Sequence, residues 1–346
     1  MTILLEAKNL TKEFESGSGL VSKAKMVALQ DFSLTIAADQ PAVIAIAGES
    51  GSGKTTLARL LLGIAKPTSG TITYRGRDLW QMDKPEQKVF RQEVQAIFQD
   101  PFEVYNPFYK IDHVLTTPIA KFGLADSKAA ARELMHDALN KVGLRPEETL
   151  GRYPHQLSGG QRQRIMIARA LLLHPKIILA DEPVSMVDAS LRATILESLL
   201  KLNREFGISL IYITHDLTTA YQLCETIIIL YRGIVAEIGS VELVIKQPKH
   251  PYTQLLVSSI PLPNPDIRWG DDQKALAQAE AAVASAGCKF AGRCPHVMDI
   301  CRQSQPPLIQ ADPGRAVACY LHPALTNPGN DVTLPSASPQ KDLQAS

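Results

Sequence analysis

Three short runs hold residue types suited to phosphate chemistry. In Gly48-Glu49-Ser50-Gly51-Ser52-Gly53-Lys54-Thr55-Thr56 the glycines let backbone N–H groups turn inward, Lys54 can reach β- and γ-phosphates, and the Thr55 hydroxyl can ligand Mg²⁺. At average composition a match to this pattern arises by chance in a chain of 346 residues only about once in 100. Asp181-Glu182 closes the apolar run Ile177-Ile178-Leu179-Ala180, so Asp181 is placed to hold Mg²⁺ through water and Glu182 to polarise an attacking water. His215 follows a third apolar run, Ser209 to Thr214, and reads as a γ-phosphate contact rather than a structural hydrogen-bonder. Ser158-Gly159-Gly160-Gln161 has the form of a capping box, yet two glycines in a first helical turn weaken the helix. Their presence predicts that something approaches the backbone closely there, and an anion at the helix start fits.

The elements that position these groups are legible around them. Val43-Ile44-Ala45-Ile46-Ala47 reads as a fully buried parallel strand, and Leu57 to Leu62 as a helix stopped at Gly63. With Ile177–Ala180 and Ser209–Thr214 this makes three buried strands whose carboxyl ends carry the reactive residues, as in open α/β sheets. Before them, residues 3–47 alternate strand patterns with turns, and Glu15 to Lys25 reads as a surface loop. Phe14, just ahead of it, would by itself be a core aromatic. Gln99 to Tyr109 holds two prolines and four aromatics, so it is irregular. It packs on its own domain or forms a contact surface for a partner. Residues 111–157 look helical, with Asp126-Ser127 capping a helix that ends at Gly143. A helix follows from Arg162 to Leu173, and Asp188 or Ser190 caps another bearing Leu191, Ile195, Leu199, Leu202 and Phe206. Arg232-Gly233 between two apolar runs signals a hairpin. Beyond Val241 come a Pro-rich segment from Pro261 to Pro265, an Ala-rich helical stretch from Gln273 to Ala286, four cysteines, and a polar tail.

A hydrophobic share of 45%, a charged share of 21% and a net charge of +1 suit a globular chain and give no basic face for nucleic acid. The apolar stretch at the N-terminus is too short for a signal peptide, and no window approaches a membrane span. Four of the five cysteines, Cys288, Cys294, Cys301 and Cys319, crowd into one region, which predicts a local metal or cluster site instead of a disulfide framework. Their separations match neither common zinc modules nor the ferredoxin patterns, so spacing leaves zinc and iron–sulfur both open. Cys224 reads as a small buried hydrophobe.

Together the Gly48–Thr55 loop, Gln99, the Leu157–Gln161 run, Asp181-Glu182, Asp188 and His215 resemble, in order and spacing, the ATP-binding-cassette ATPases, over residues 3–323. The resemblance implies an α/β fold: a P-loop NTPase core with a mostly parallel sheet, an antiparallel β subdomain, an inserted helical subdomain, and a small cysteine-containing C-terminal extension. It implies a nucleotide-binding domain over 1–240 with its helical part at about 100–163, an extension over 241–323, and a disordered tail over 324–346. By this resemblance Phe14 stacks on adenine, Gln99 senses Mg²⁺ and the attacking water, Glu182 is the general base, and His215 holds the γ-phosphate. Ser158, Gly159, Gly160 and Gln161 then meet the nucleotide of a second ATPase chain, a sibling or a copy, in a sandwich dimer. Two membrane permease subunits would dock beside the stretch after Gln99, on the cytoplasmic face of a bacterial inner membrane, served indirectly by an extracytoplasmic binding protein. One departure is Ser185-Met186-Val187-Asp188, with Met-Val where a small residue and Leu are usual.

The C-terminal third is similar to a narrower group, the ATPases of oligopeptide and dipeptide importers, through His250-Pro251-Tyr252-Thr253 and the four cysteines. That implies peptide import and a [4Fe–4S] cluster ahead of zinc at Cys288, Cys294, Cys301 and Cys319. The same ATPase type also serves oligosaccharide and nickel-chelate uptake. A soluble cassette ATPase of DNA repair or translation would carry two cassettes or a coiled-coil insertion, and this chain has neither.

Overall fold

The computed structural model describes residues 2–16, 24–100, 105–260 and 286–323. β-branched and apolar runs build one eight-stranded sheet in the order β11-β12-β10-β9-β3-β8-β7-β6. Its parallel part comprises β6 (Val94–Ile97), β7 (Ile177–Asp181), β8 (Ser209–Thr214), β3 (Val43–Ala47) and β9 (Thr226–Tyr231). β10 (Ile234–Ser240), β12 (Arg315–Val317) and β11 (Ile309–Asp312) continue it antiparallel. The Arg232-Gly233 hairpin is therefore present, with both residues at positive φ, +45° and +84°.

Alternate residues of these strands face opposite ways, which splits the core in two. Val43, Ala45, Ile178, Leu210 and Tyr212 face one cluster; Ile44, Ile46, Leu179, Ile211 and Ile213 face the other. A four-stranded antiparallel sheet packs over the second face: β2 (Ala24–Ala37), β1 (Ile3–Ser16), β4 (Ser69–Tyr74) and β5 (Arg77–Asp78). Two helices belong with that face, α1 (Lys54–Leu61) and α2 (Lys84–Glu93). The first face carries α3 (Ile111–Phe122), α4 (Lys128–Lys141), the single turn α5 (Pro146–Thr149), α6 (Gly159–Leu171) and α7 (Ala189–Phe206). Shorter helices follow: α8 (Leu217–Leu223), α9 (Val241–Lys246), α10 (Pro251–Ser258) and α11 (Asp299–Gln303).

Several sequence expectations change in detail. The described ends of the Glu15–Lys25 loop are strand, since Glu15 pairs with Lys25 and Ser16 with Ala24; residues 17–23 lie outside the described part. The helical stretch 111–157 is broken into four pieces, the last a 3₁₀ turn at Pro154–Gln156. Ser127 makes the cap of α4, accepting from Ala130 N–H. The helix expected from Arg162 starts three residues earlier, at Gly159. Asp188 occupies the α7 cap position but its side chain makes no cap bond, and Phe206 stays 38% exposed beside Lys141. The Pro261–Pro265 segment, the Ala-rich helix short of Ala286 and the tail fall outside the described residues.

One pairing had no sequence signal. β12 adds to β10 through Glu237–Val317, Ile238–Ala316 and Gly239–Arg315, so the chain end beyond the cysteines extends the central sheet. Buried Glu237 and Arg315 face each other across that seam. Glu237 Oε2 also accepts the His250 N–H at 2.9 Å, and burial pushes its carboxyl up.

Candidate active site

The loop between β3 and α1 forms a cradle because its backbone cannot be anything else. Gly53 caps α1 at φ +106°, and a Cβ there would meet the Ala28 carbonyl oxygen at 2.6 Å. The α1 N-terminus thus carries no side-chain cap, and its N–H groups stay directed at the loop. Lys54, buried, folds into that loop and donates to the Gly48 and Glu49 carbonyls at 2.7 and 2.9 Å. Burial lowers the Lys54 ammonium, against which Glu182, Asp181 and Glu49 hold its charge. Asp181 shows the mirror image: burial and Glu182 push its carboxyl up, and Lys54 pulls it down.

Glu182 is the centre of a three-residue contact. Gln99, just beyond β6, donates Nε2–H to Oε2 at 2.9 Å, and His215 Nδ1, just beyond β8, lies 2.8 Å from Oε1. The three parallel strands β6, β7 and β8 end side by side, which is what brings residues 99, 182 and 215 together. Glu182 also adopts φ +44°, a left-handed conformation that costs a non-glycine residue about 1 kcal/mol or more. Its N–H is held by the Ile213 carbonyl at 2.8 Å and its carbonyl by the Ser185 hydroxyl at 3.0 Å. Strain of this kind, fixed by neighbours on both sides, aims the carboxylate.

A cavity of about 1080 Å³ joins the pieces. Ser50, Gly51, Gly53, Lys54, Thr55 and Thr56 line its floor, and Gln99, Asp181, Glu182 and His215 one end. Phe14, 41% exposed and paired with Met26 across β1 and β2, lines it too. Phe14 is therefore a cavity aromatic rather than a core one. Ser158, Gly159, Gly160 and Gln161 do not line this cavity. Ser158 caps α6, accepting from Gln161 N–H at 3.2 Å while Gln161 Oε1 accepts from Ser158 N–H. Gly160 has an internal explanation: a Cβ would lie 2.8 Å from Leu191 Cδ1, so it seats α6 against α7. Gly159 has only the Met186 carbonyl, at 3.7 Å, near its missing Cβ and is half-exposed. The stretch after Gln99 divides: Tyr105 is buried with its hydroxyl donating to the Arg162 carbonyl, whereas Phe108 is 86% exposed.

Residues to which the sequence assigned no part in this site also reach it. Arg293 grips Glu49 with both guanidinium nitrogens, at 2.9 and 3.0 Å, and the Tyr252 hydroxyl accepts the Glu49 N–H at 2.8 Å. Arg232, Gly287 and Lys289 line the cavity. For Lys289 and Arg293 the one sequence clue was proximity to the cysteines, since Lys289 follows Cys288 and Arg293 precedes Cys294, whereas Arg232 was read as a hairpin turn and Tyr252 as part of a family run.

The four cysteines gather, all as free thiols. Cys288 and Cys301 are buried, Cys294 and Cys319 half-buried, and the Cys288 N–H donates to the Cys301 carbonyl at 2.7 Å. Burial pushes the Cys319 thiol up to about 11, with Cys294, Cys288 and Cys301 adding to the shift by their charge. Even so, among the described residues no three His, Cys, Asp or Glu side chains surround a point that could hold one metal ion. Cys224 is buried and its thiol raised by burial, a small hydrophobe as read.

Comparison with known proteins adds to this geometry. The family described as ABC transporter matches residues 29–185, and the oligopeptide/dipeptide transporter C-terminal region matches residues 236–301. A probable peptide ABC transporter ATP-binding protein, y4tS, of Sinorhizobium fredii is 39% identical over 321 residues, 92% of this chain and 90% of its own. The dipeptide transport ATP-binding protein DppF of Escherichia coli is 38% identical over 326 residues, 94% of this chain and 96% of its own. Among solved structures, the dimeric post-hydrolysis state of the ATP-binding cassette MJ0796, bound to ADP and Pi, superposes with a TM-score of 0.61 at 30% identity. It covers 69% of this chain and 99% of that one.

Proposed function

We infer that this chain, which belongs to the ABC transporter family of ATPases, is the ATP-hydrolysing subunit of a bacterial importer that takes up di- or oligopeptides. Its relatives by sequence include ATP-binding proteins of peptide and dipeptide transport, and the match continues through the C-terminal region typical of that group. The observation that carries the chemistry is the convergence of Gln99, Glu182 and His215 opposite Lys54 in one cavity.

In the reading we propose, Phe14 stacks on adenine and the Gly48–Thr56 loop holds the phosphates, with Lys54 exchanging its two carbonyl partners for phosphate oxygens. Glu182 accepts a proton from water as the water oxygen attacks the terminal phosphorus; the bond to the bridging oxygen breaks, and ADP and phosphate leave. Gln99 and His215 keep both carboxylate oxygens in place, and His215 also faces the γ-phosphate. Thr55, Gln99 and Asp181 offer a hydroxyl, an amide and a carboxylate oxygen, the hard donors that suit Mg²⁺. The ion, when bound, neutralises charge on the transferred phosphoryl group. Exposed Ser158 and half-exposed Gly159, away from their own cavity, suit the nucleotide of a second ATPase chain, with Gly160 and Gln161 holding that helix start. The cassette MJ0796 has been solved as a dimer, which supports this arrangement.

Among the described residues no helix is long and apolar enough to cross a membrane, so permease subunits must supply the passage. Phe108 and Tyr109, exposed at the edge of the helical layer, fit a surface that such subunits cover, on the cytoplasmic face of the inner membrane. We place the nucleotide-binding domain at 1–240 and the C-terminal extension at 241–323. We also propose that Cys288, Cys294, Cys301 and Cys319 hold a [4Fe–4S] cluster. What supports this is that the four thiols lie near enough for their charges to act on one another, in a chain whose C-terminal part matches the oligopeptide/dipeptide transporter region. When bound, such a group cross-links the loops and can carry one electron.

The test of function is peptide-stimulated ATP hydrolysis by the chain assembled with its permease and binding protein in vesicles. Hydrolysis coupled to peptide uptake supports the reading, and stimulation by an oligosaccharide or nickel chelate alone replaces the substrate class. Anaerobic purification followed by iron and sulfide analysis tests the cluster, with four irons per chain expected.

A further inference from the structure

Two cations in the cavity have no part in the chemistry described above. Arg232 sits at the β9–β10 turn and Lys289 in the loop after Cys288. Lys289 Nζ donates to the Arg232 carbonyl at 2.9 Å, joining residues 57 apart in the chain. Among the described residues neither side chain pairs with a carboxylate, and the Arg232 guanidinium lies over the Tyr231 ring at 5.6 Å. Arg232 is exposed and Lys289 half-buried, so an anion between them would offset their repulsion and the partial desolvation of the ammonium. Burial first, then Arg232, holds the Lys289 ammonium below its usual range, as such crowding requires.

Topology places both cations beside the phosphate loop. Gly233 donates its N–H to the Ser52 carbonyl at 2.8 Å and its Cα lies 3.4 Å from where a Gly53 Cβ would be. The Arg232 turn thus abuts the floor of the phosphate loop on the β9 side of β3. Gln99, Glu182 and His215 arrive from β6, β7 and β8, on the opposite side of β3. The two cations therefore lie on the side of the phosphate loop away from Gln99, Glu182 and His215. The loop that presents Lys289 is bolted to the cradle four residues later, where Arg293 grips Glu49, and Lys289 N–H donates to Gln305 Oε1 at 3.2 Å.

We propose that Lys289, together with Arg232, binds the α- and β-phosphates, so that the cysteine-bearing segment completes the nucleotide site of its own chain. This rests on the ATP site proposed above and adds a binding residue to it.

The experiment titrates MgATP and MgADP into the full-length chain by calorimetry, comparing the wild type with Lys289→Met, Lys289→Arg and Arg232→Met. Lys289→Met should weaken ATP and ADP by the same factor, about tenfold, since each loses one charge-assisted contact. Lys289→Arg should restore most of that loss. Unaltered affinity in Lys289→Met overturns the inference, and so does a loss confined to ATP, which would move the contact to the terminal phosphate. If Lys289→Met does not fold, Arg232→Met and Lys289→Gln carry the same comparison, and equal loss of ATP and ADP affinity again supports the contact while unaltered affinity again overturns it. A wild-type chain that binds no nucleotide instead defeats the ATP-site reading itself.

Discussion

Lys54, Asp181, Glu182 and His215 each stand within a residue or a short loop of a buried parallel strand, whereas Lys289, Arg293 and the four cysteines hang on turns and short elements. The first group owes its geometry to five adjacent strands in strict register. The second packs Cys288, Phe290, Ala291 and Cys301 into the core from short turns, and polar bonds tie it to the cradle: the Arg293–Glu49 pair, the Tyr252 hydroxyl, and the seam of β10 with β12. A sheet edge keeps reactive groups steady through the whole core. A loop seated on that core adds individual polar contacts of its own, which can be broken one at a time. Chemistry that must be exact sits on the former, and the latter suits a segment whose presence adjusts binding.

That contrast can be tested from its strongest side first. Glu182→Gln should cut ATP hydrolysis by about 10²- to 10⁴-fold while ATP binding persists, read by steady-state turnover beside calorimetric titration. Undiminished hydrolysis would remove Glu182 from the role of base. Next in size is acid sensitivity of the bolted region. His250 is buried and accepts the Tyr252 N–H at 3.0 Å; burial, with help from His322, lowers its pKa from 6.5 to about 4. The folded state thus prefers the neutral ring, so its stabilisation is complete above pH 6.5 and drains away as the pH falls towards 4. The whole amounts to about 3 kcal/mol. Denaturant midpoints between pH 7 and 4 should fall accordingly, and His250→Gln should flatten the slope.

Smaller effects separate the bolts from one another. Arg293→Met should lower stability by about 1–2 kcal/mol, and a double-mutant cycle with Glu49→Gln should return most of this as coupling energy. Coupling near zero would mean that the cradle stands without its clamp. Tyr252→Phe removes the acceptor for the Glu49 N–H and should cost about 1 kcal/mol, with hydrogen exchange at that amide rising. If exchange is unchanged, solvent already satisfies that group.

Sequence and structure agree most closely where a function is built from consecutive residues. The phosphate loop, the acids ending β7, the hairpin at Arg232-Gly233 and the Ser158 cap all depend on spacings of a few residues, which a chain displays directly. The reading of Gly160 shows the limit. Its missing Cβ suggests an approaching ligand, and the structure adds a neighbour that no local rule contains, Leu191, thirty-one positions on. Lys289 was silent, and Arg232 was legible as a turn but not as a cavity cation, because a cation acquires meaning only from what faces it.

Local stereochemistry, the alternation and length of apolar runs and the order of the reactive residues determined a nucleotide-binding α/β fold with reactive residues at its strand ends, and the family resemblance added ATP hydrolysis and the part of Gln99. Only the tertiary structure decided that Gln99 and His215 share the two oxygens of Glu182, that β11 and β12 join the central sheet, and that Arg293 holds Glu49 from 244 residues away. The reason is physical. Backbone propensity and side-chain period act over a few residues, while ion pairs and cavity walls form between whichever surfaces burial of the core brings together.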